Sequence, residues 1–398
     1  MKQRLILSEI IKHIEHKNAI IVTGMRQVGK TTLLRQAFDI LGEKPKLWFD
    51  LDNPLDQKVF ENEEYRNIYQ ELRRMAGSQE GERLFVFIDE IQNFPEITKV
   101  IKYLIDHYGV KFFVTGSSNF YLKNLFPESL SGRKFLYALQ PLRFGEYLYF
   151  KDAITLEALQ SYEKAPNFQA GANLIRFKEH ETAYADFIRF GGFPEVVLTP
   201  DEATKAQVLK NIFSSFFEKD LKLLSDYHDT RELRDLILLL VPRVGSMLDV
   251  SKLASELGVE RVKVYAYLEF LQGVFFIRLL PKFSKSIDRS VAGGRKVYFS
   301  DTGILTMIGA VNDAQLFENA VINQLSHFGE VGFYNRRNTA EIDAILDKKT
   351  AFEVKLKGTA GDVRKLAKLA NGLAIETGGV ISRDFVEGKS FVFGNGIW

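Results

Sequence analysis

The chain has 398 residues, 46% hydrophobic and 26% charged, which is a globular composition too long for one ordinary core and points to two to four domains. It has no cysteine, which excludes disulfides and thiolate metal sites and agrees with a reducing cytoplasm. Lys and Arg number 53 against 51 Asp and Glu, so any nucleic-acid surface has to be a local patch rather than a property of the whole chain.

No segment approaches the roughly 20 apolar residues needed to cross a bilayer. The N-terminal stretch MKQRLILSEIIKHIEHKN is amphipathic and charged, without the apolar core or cleavage site of a signal peptide. A cytoplasmic protein with no membrane contact is expected.

The first half alternates short apolar runs with longer helical patterns, the grammar of an α/β fold with a parallel sheet covered by helices. AIIVTG, KLWFDL, RLFVFIDE and VKFFVTGSS read as strands buried on both faces. Between the first of them and the helix TLLRQAFDIL lies GMRQVGKT, which fits the phosphate-loop pattern GxxxxGK[ST] in its required context. The loop and the residue after it, Gly24, Met25, Arg26, Gln27, Val28, Gly29, Lys30, Thr31 and Thr32, are the expected ATP-binding residues. Its glycines let backbone N–H groups face phosphate oxygens at a helix N-terminus. Lys30 would reach the β- and γ-phosphates, and Thr31 would offer its hydroxyl to Mg²⁺.

The strand LFVFIDE would deliver Asp89 to the metal and Glu90 to the attacking water. From the strand VKFFVTGSS, Ser117 or Asn119 would sense the γ-phosphate, with a helix cap as the competing role. Arg133 in ESLSGRKF would serve as a finger on a neighbouring copy's ATP, which implies a homo-oligomer; a surface salt bridge is its other reading.

From about Gln140 to Pro200 the pattern turns helical, with a loop at KAPNFQAGAN and a turn at GGFPE, a lid or linker. MLDVSKLASELGVERVKVYAYLEFLQGVFFIRLLP then has the order of a winged helix-turn-helix. As a recognition helix it would present Glu260, Arg261, Lys263, Val264 and Tyr267 to a groove. The wing would add Arg278, Lys282, Lys285, Arg289, Arg295 and Lys296 as phosphate contacts, with Arg336 and Arg337 extending that surface. Winged helices also dock proteins, so both uses stay open.

The last segment is a separate α/β unit. EIDAILD and TAFEVK place Asp343, Glu353 and Lys355 in the D…ExK pattern of the PD-(D/E)XK nuclease fold, with Glu318 on the preceding helix. Asp343, Glu353 and Glu318 would bind Mg²⁺, and Lys355 would orient water or stabilise transition-state charge. A degenerate site used only for binding is the alternative. The boundaries expected are 1–150 for the ATPase domain, 151–245 for the lid, 246–298 for the winged helix and 299–398 for the nuclease-like module.

GMRQVGKTTLL, FIDEIQ, FVTGSSNFYL, ESLSGR, GGFPEVV and KVYFSDTGIL occur in this order, and with them nearly the whole chain resembles the AAA+ ATPases of bacteria and archaea that carry a C-terminal domain of unknown function. The resemblance implies an AAA+-like P-loop domain, a helical lid, a winged helix and a nuclease-like module. The combined expectation is an ATP-hydrolysing motor that binds DNA and remodels or processes branched or structured forms of it, with Mg²⁺-dependent cleavage if the second site is intact. An ATP-controlled protein-docking switch is the alternative.

Overall fold

The computed structural model describes residues 2–116, 132–164, 173–220, 227–284, 293–336 and 339–397. The chain divides into two compact units, Met1–Gln140 with Gly273–Phe275, and Pro141–Gln272 with Phe276–Trp398. The break falls at Gln140, earlier than the expected 150. The segments expected as lid, winged helix and C-terminal module fall in the second unit, apart from Gly273–Phe275.

The first unit is built on five parallel strands: β1 (Ala19–Thr23), β2 (Lys46–Asp50), β3 (Phe85–Asp89), β4 (Lys111–Gly116) and β5 (Lys134–Ala138). Their order is β2-β3-β4-β1-β5. The inner strands β1, β3 and β4 are buried at every position, as unbroken apolar runs require. The edge strands β2 and β5 are half-exposed, which corrects the expectation of two-sided burial for KLWFDL. The expected strands did not include β5 (KFLYA), which pairs with β1 at the edge of the sheet. Helices α1 (Ile6–Lys12), α2 (Lys30–Ile40), α3 (Pro54–Lys58), α4 (Tyr65–Ala76) and α5 (Ile97–Tyr108) cover the sheet. α4 and α5 turn Ile68, Leu72, Ile101 and Leu104 onto Val86, Ile88 and Val114, giving one contiguous core.

Because β4 lies between β1 and β3, residues that leave the sheet at β1 and β3 flank the end of β4. That is the ligand-binding edge of a parallel sheet.

The second unit begins with α6 (Phe144–Phe150), α7 (Leu156–Lys164), α8 (Leu174–Phe190), α9 (Pro194–Leu198) and α10 (Glu202–Ser215). Then come α11 (Tyr227–Leu240), α12 (Val250–Leu257), α13 (Arg261–Gly273) and the antiparallel pair β6 (Ile277–Pro281) and β7 (Arg295–Phe299). After α14 (Thr302–Ile308) and α15 (Asp313–Leu325), the chain forms β8 (Val331–Arg336), β9 (Ala340–Leu346) and β10 (Thr350–Lys355), α16 (Ala360–Leu373), β11 (Glu376–Ser382) and β12 (Phe391–Phe393). The sheet order is β12-β11-β10-β9-β8, antiparallel from β8 to β10 and parallel from β10 to β12. α16 packs Leu366 and Ala370 on Ile345, Val380 and Phe393.

Two glycine-bearing motifs of this unit meet in space. The buried Asp301 carboxylate accepts hydrogen bonds from Gly192 N (2.8 Å) and Ile304 N (3.0 Å), tying GGFPE to FSDTG across more than a hundred residues of chain. A Cβ at Gly191 would sit 2.2 Å from that carboxylate, and one at Gly303 would sit 2.1 Å from Phe190 O, so neither position has room for a side chain. Burial pushes the Asp301 pKa up to about 6, against the pull of its backbone donors.

No helix among the described residues is long and apolar enough to cross a membrane.

Candidate functional site

The phosphate loop is shaped by its glycines. Gly24 (φ +152°) passes so close to β5's exit that a Cβ would lie 2.0 Å from Leu139 O. Gly29, at φ +94°, is the N-cap of α2. No side chain caps that helix and no acidic residue stands in its first turn, so its leading N–H groups and the positive end of its dipole remain for an anion.

Lys30 is buried, and its Nζ donates to the loop's own carbonyls, Gly24 O (3.0 Å) and Met25 O (2.7 Å). Thr31 and Thr32 are exposed at the first turn of α2, and Arg26 and Gln27 lie on the loop's outer side. Val28 is fully buried, and its carbonyl accepts from Arg4 Nη1 (2.9 Å) while Arg4 Nη2 reaches Gln140 O (2.8 Å). Arg4 thus staples the loop to the segment after β5. Sequence reasoning missed it, because its partners lie 24 and 136 positions away.

Asp89 ends β3 as expected and is 5% exposed. Thr115, on the neighbouring β4, donates its hydroxyl to Asp89 Oδ1, and Thr31 is also hydrogen-bonded to that carboxylate. Burial raises the Asp89 pKa, with the like charges of Glu90 and Asp50 adding to the effect and the two hydroxyls opposing it. Glu90 sits at φ +55°, a left-handed conformation that costs a non-glycine residue about 1 kcal/mol. Its N–H donates to Thr115 Oγ1 (3.0 Å), and Gln92 Nε2 donates to its Oε2. One hydroxyl, that of Thr115, therefore holds both acidic residues. The expected sensors Ser117 and Asn119 lie outside the described residues; Thr115 is the polar residue that the neighbouring strand places at this edge.

The groups against Asp89 are two hydroxyls and two carboxylates. Such an oxygen-only set at a buried carboxylate fits Mg²⁺, held between Asp89 and Thr31.

Arg133 is elsewhere. It precedes β5, whose first residue pairs with Ala19 at the start of β1, so it lies at the opposite edge of the sheet from the loop. Its Nε donates to Asp106 Oδ1 (2.6 Å). It takes no part in this protomer's phosphate site, and its pairing with Asp106 matches the surface salt bridge that was its other reading.

The expected recognition helix is α13, and of its five named residues two face inward and a third is tied to acids of its own fold. Val264 and Tyr267 are core residues, and Lys263 pairs with Asp229 (2.9 Å) and Glu232 (2.6 Å). The face left exposed carries Val262 (75%) and Tyr265 (60%) with Glu260, Arg261 and Glu269 around them. The basic strip is corrected in the same way. Arg278 is largely buried, which pushes its pKa down to about 10, and Lys296 is 3% exposed. Their strand neighbours Ile277, Leu279 and Val297 are apolar, and packing takes these side chains inside. Arg295 and Arg336 are exposed and Lys282 is half-buried. Lys285, Arg289 and Arg337 lie outside the described residues.

Glu318, Asp343, Glu353 and Lys355 do come together, on α15, β9 and β10. Lys355 Nζ lies 2.8 Å from Glu353 and 3.5 Å from Asp343, and Lys365 of α16 is 3.5 Å from Glu353. Asp343 also accepts from Val354 N (2.9 Å). Lys296 stands 3.6 Å from Glu318 and 2.7 Å from Glu341, and Tyr298 donates its hydroxyl to Glu318 (2.6 Å). Burial, and then the Asp343 charge, push Glu318 up to about 7 and raise Glu353. Burial opposes charge on Lys355 and Lys296, yet the surrounding carboxylates hold both above the ordinary lysine value.

Among the described residues, those around Asp89 included, no group of three His, Asp or Glu side chains is arranged to hold a metal. The ammonium groups of Lys355, Lys365 and Lys296 stand against the carboxylates expected to take Mg²⁺.

Comparison with known proteins adds the following. Residues 16–148 match the model of an AAA domain, and residues 181–315 match a domain of unknown function, DUF8612. The uncharacterized protein MJ1544 of Methanocaldococcus jannaschii is 30% identical over 84% of this chain and 73% of its own length. An uncharacterized protein of Haemophilus influenzae is 26% identical over 87% of this chain and 86% of its own. Among solved structures, Cdc6p from Pyrobaculum aerophilum aligns at 12% identity over 69% of this chain and 86% of that chain, with a TM-score of 0.31, too low to bear on function. With its phosphate loop, Asp89 and Glu90 inside the matched AAA domain, the chain belongs to the same family as the archaeal protein MJ1544.

Proposed function

We propose that the first unit hydrolyses ATP, with Lys30, Thr31, Asp89 and Glu90 as the working residues. The observation that carries this reading is the Thr115 hydroxyl, which joins the Asp89 carboxylate to the backbone of Glu90 beside an uncapped helix N-terminus. Phosphate oxygens are stronger acceptors than the carbonyls of Gly24 and Met25, so the Lys30 ammonium transfers to them when ATP enters. The α2 N–H groups bind the phosphates and orient the γ-phosphate toward Glu90. Glu90, steadied by Gln92 and Thr115, accepts the proton of the attacking water. Mg²⁺ between Thr31 and Asp89 would neutralise the charge that develops on the phosphate oxygens.

The second unit is read as an ATP-controlled docking arm for a protein partner. What supports this is the exposed Val262 and Tyr265 on α13, beside basic residues engaged within their own fold. A DNA-processing motor is the second reading, favoured by the convergence of Asp343, Glu353 and Lys355. ATP hydrolysis by the native chain and by Glu90→Gln, with and without four-way-junction, duplex and single-stranded DNA, separates the two. Stimulation by one DNA form selects the motor, and indifference to all of them selects the docking arm. Activity retained in Glu90→Gln overturns the hydrolytic assignment itself. Cleavage of branched or linear DNA with Mg²⁺ or Mn²⁺ that is lost in Asp343→Ala and Lys355→Ala would establish a nuclease.

A further inference from the structure

The first unit carries a cavity of about 620 Å³ that runs along α4 from Arg66 to Gly77 and against Tyr103 and Tyr108 of α5. α4 ends just before Gly77 and α5 just before Gly109, ahead of β3 and β4, so that end of the cavity lies at the edge of the sheet opposite the phosphate loop.

Its lining holds three arginines against one glutamate. Arg74 is neutralised by a two-pronged contact with Glu71 (2.9 and 2.6 Å). Arg66, exposed at the rim, makes no hydrogen bond or ion pair among the described residues. Arg73 gives one Nη2 bond to Ser78 O (3.2 Å), and its guanidinium lies 5.8 Å from the Tyr69 ring. Its Nε is buried and meets no acceptor among the described residues, a cost that a small rotation toward an incoming acceptor would relieve. Beside these cations the Tyr69 and Tyr108 rings stack at 3.8 Å and 14°, and Tyr103 is hydrogen-bonded to Tyr108. Both helices end here with their carbonyls, which disfavours an anion, so holding one takes more than a single guanidinium.

We propose that this cavity binds a ligand in which a flat ring is joined to a phosphate, that is, a nucleotide unit, free or within a single strand. The phosphate pairs with Arg66 and Arg73, and the ring stacks on the tyrosine pair, the combination by which single-stranded nucleic acid is held without sequence readout. The site is independent of the hydrolytic one and goes beyond the reading given above.

The test is fluorescence anisotropy of a labelled oligothymidylate with the full chain, with thymidine monophosphate, inorganic phosphate and polyglutamate as competitors. The native chain should bind the strand, and Arg66→Glu should weaken it about tenfold or more, the equivalent of losing one charge-assisted contact. Arg73→Lys, which keeps the charge but not the fork, should also weaken it. ATP hydrolysis in Arg66→Glu should match the native rate, showing that the fold and the phosphate loop are intact. Competition by the monophosphate identifies a free nucleotide as the ligand, and binding of the strand alone identifies nucleic acid. Strand binding that is absent, that survives both substitutions, or that polyglutamate displaces as well as nucleotide overturns the proposal.

Discussion

Asp89 in the first unit and Asp343 in the second are both buried carboxylates on central strands, and both pair in sequence with a second acid, yet their surroundings differ. Around Asp89 stand hydroxyls and like charges, so its charge is unmatched by the groups that touch it. Around Asp343 and Glu353 stand Lys355 and Lys365, with Lys296 on the adjoining Glu318. At Asp89 the hydroxyls and like charges leave the carboxylate open to a cationic ligand, whereas at Asp343 and Glu353 ammonium groups already stand against the carboxylates. Acidic residues in a motif therefore do not announce their use; the counter-charges do.

That comparison breaks most visibly at Glu90. Glu90→Gln keeps the side chain's shape but removes the base, and hydrolysis should fall by about 10²–10⁴-fold while ATP still binds, as steady-state turnover and nucleotide titration would record. Retained turnover would make the unmatched charge at Asp89 irrelevant to chemistry.

Asp301 sharpens it through pH. Its folded pKa is about 6, raised by burial above the ordinary 3.8, so the folded chain keeps a proton that the unfolded chain has lost. The stability this contributes is fully present below about pH 4 and is lost as pH rises through 6, up to about 3 kcal/mol for a shift of about two units. Thermal melts from pH 4 to 7 should therefore show native stability declining relative to Asp301→Asn; a constant gap would sink the idea.

In the second unit, Glu353→Gln should leave Lys355 and Lys365 short of a partner and destabilise by about 1–3 kcal/mol, discounted because both lysines are partly exposed. Denaturant unfolding reads it out. A stabilised variant would mean that the cluster is strained and held for function.

The smallest effect is expected from Thr115→Val, which removes one hydroxyl that serves two acids. Turnover should fall about tenfold, with about 1–2 kcal/mol lost in stability, and the drop should lie in kcat more than in KM.

Much of the first unit was legible because its signals are local. A phosphate loop between a strand and a helix, and two acids after an apolar run, need only neighbouring residues, and GMRQVGKT and FVFIDE were read correctly as elements. Thr115 and Arg4 were not legible, because the order β3-β4-β1 and the reach of Arg4 to Gln140 exist only in the assembled sheet. The same holds for Lys263, Tyr267, Arg278 and Lys296. In sequence they form a basic strip and a recognition face, and packing turns them inward onto acids or apolar neighbours. Likewise GGFPE and FSDTG read as separate turns until Asp301 joins them. The sequence by itself determined which elements form, since period and turn chemistry act over a few residues. Only the tertiary structure decided which charges meet a counter-charge and which are left for a ligand, because that depends on groups brought together from distant parts of the chain.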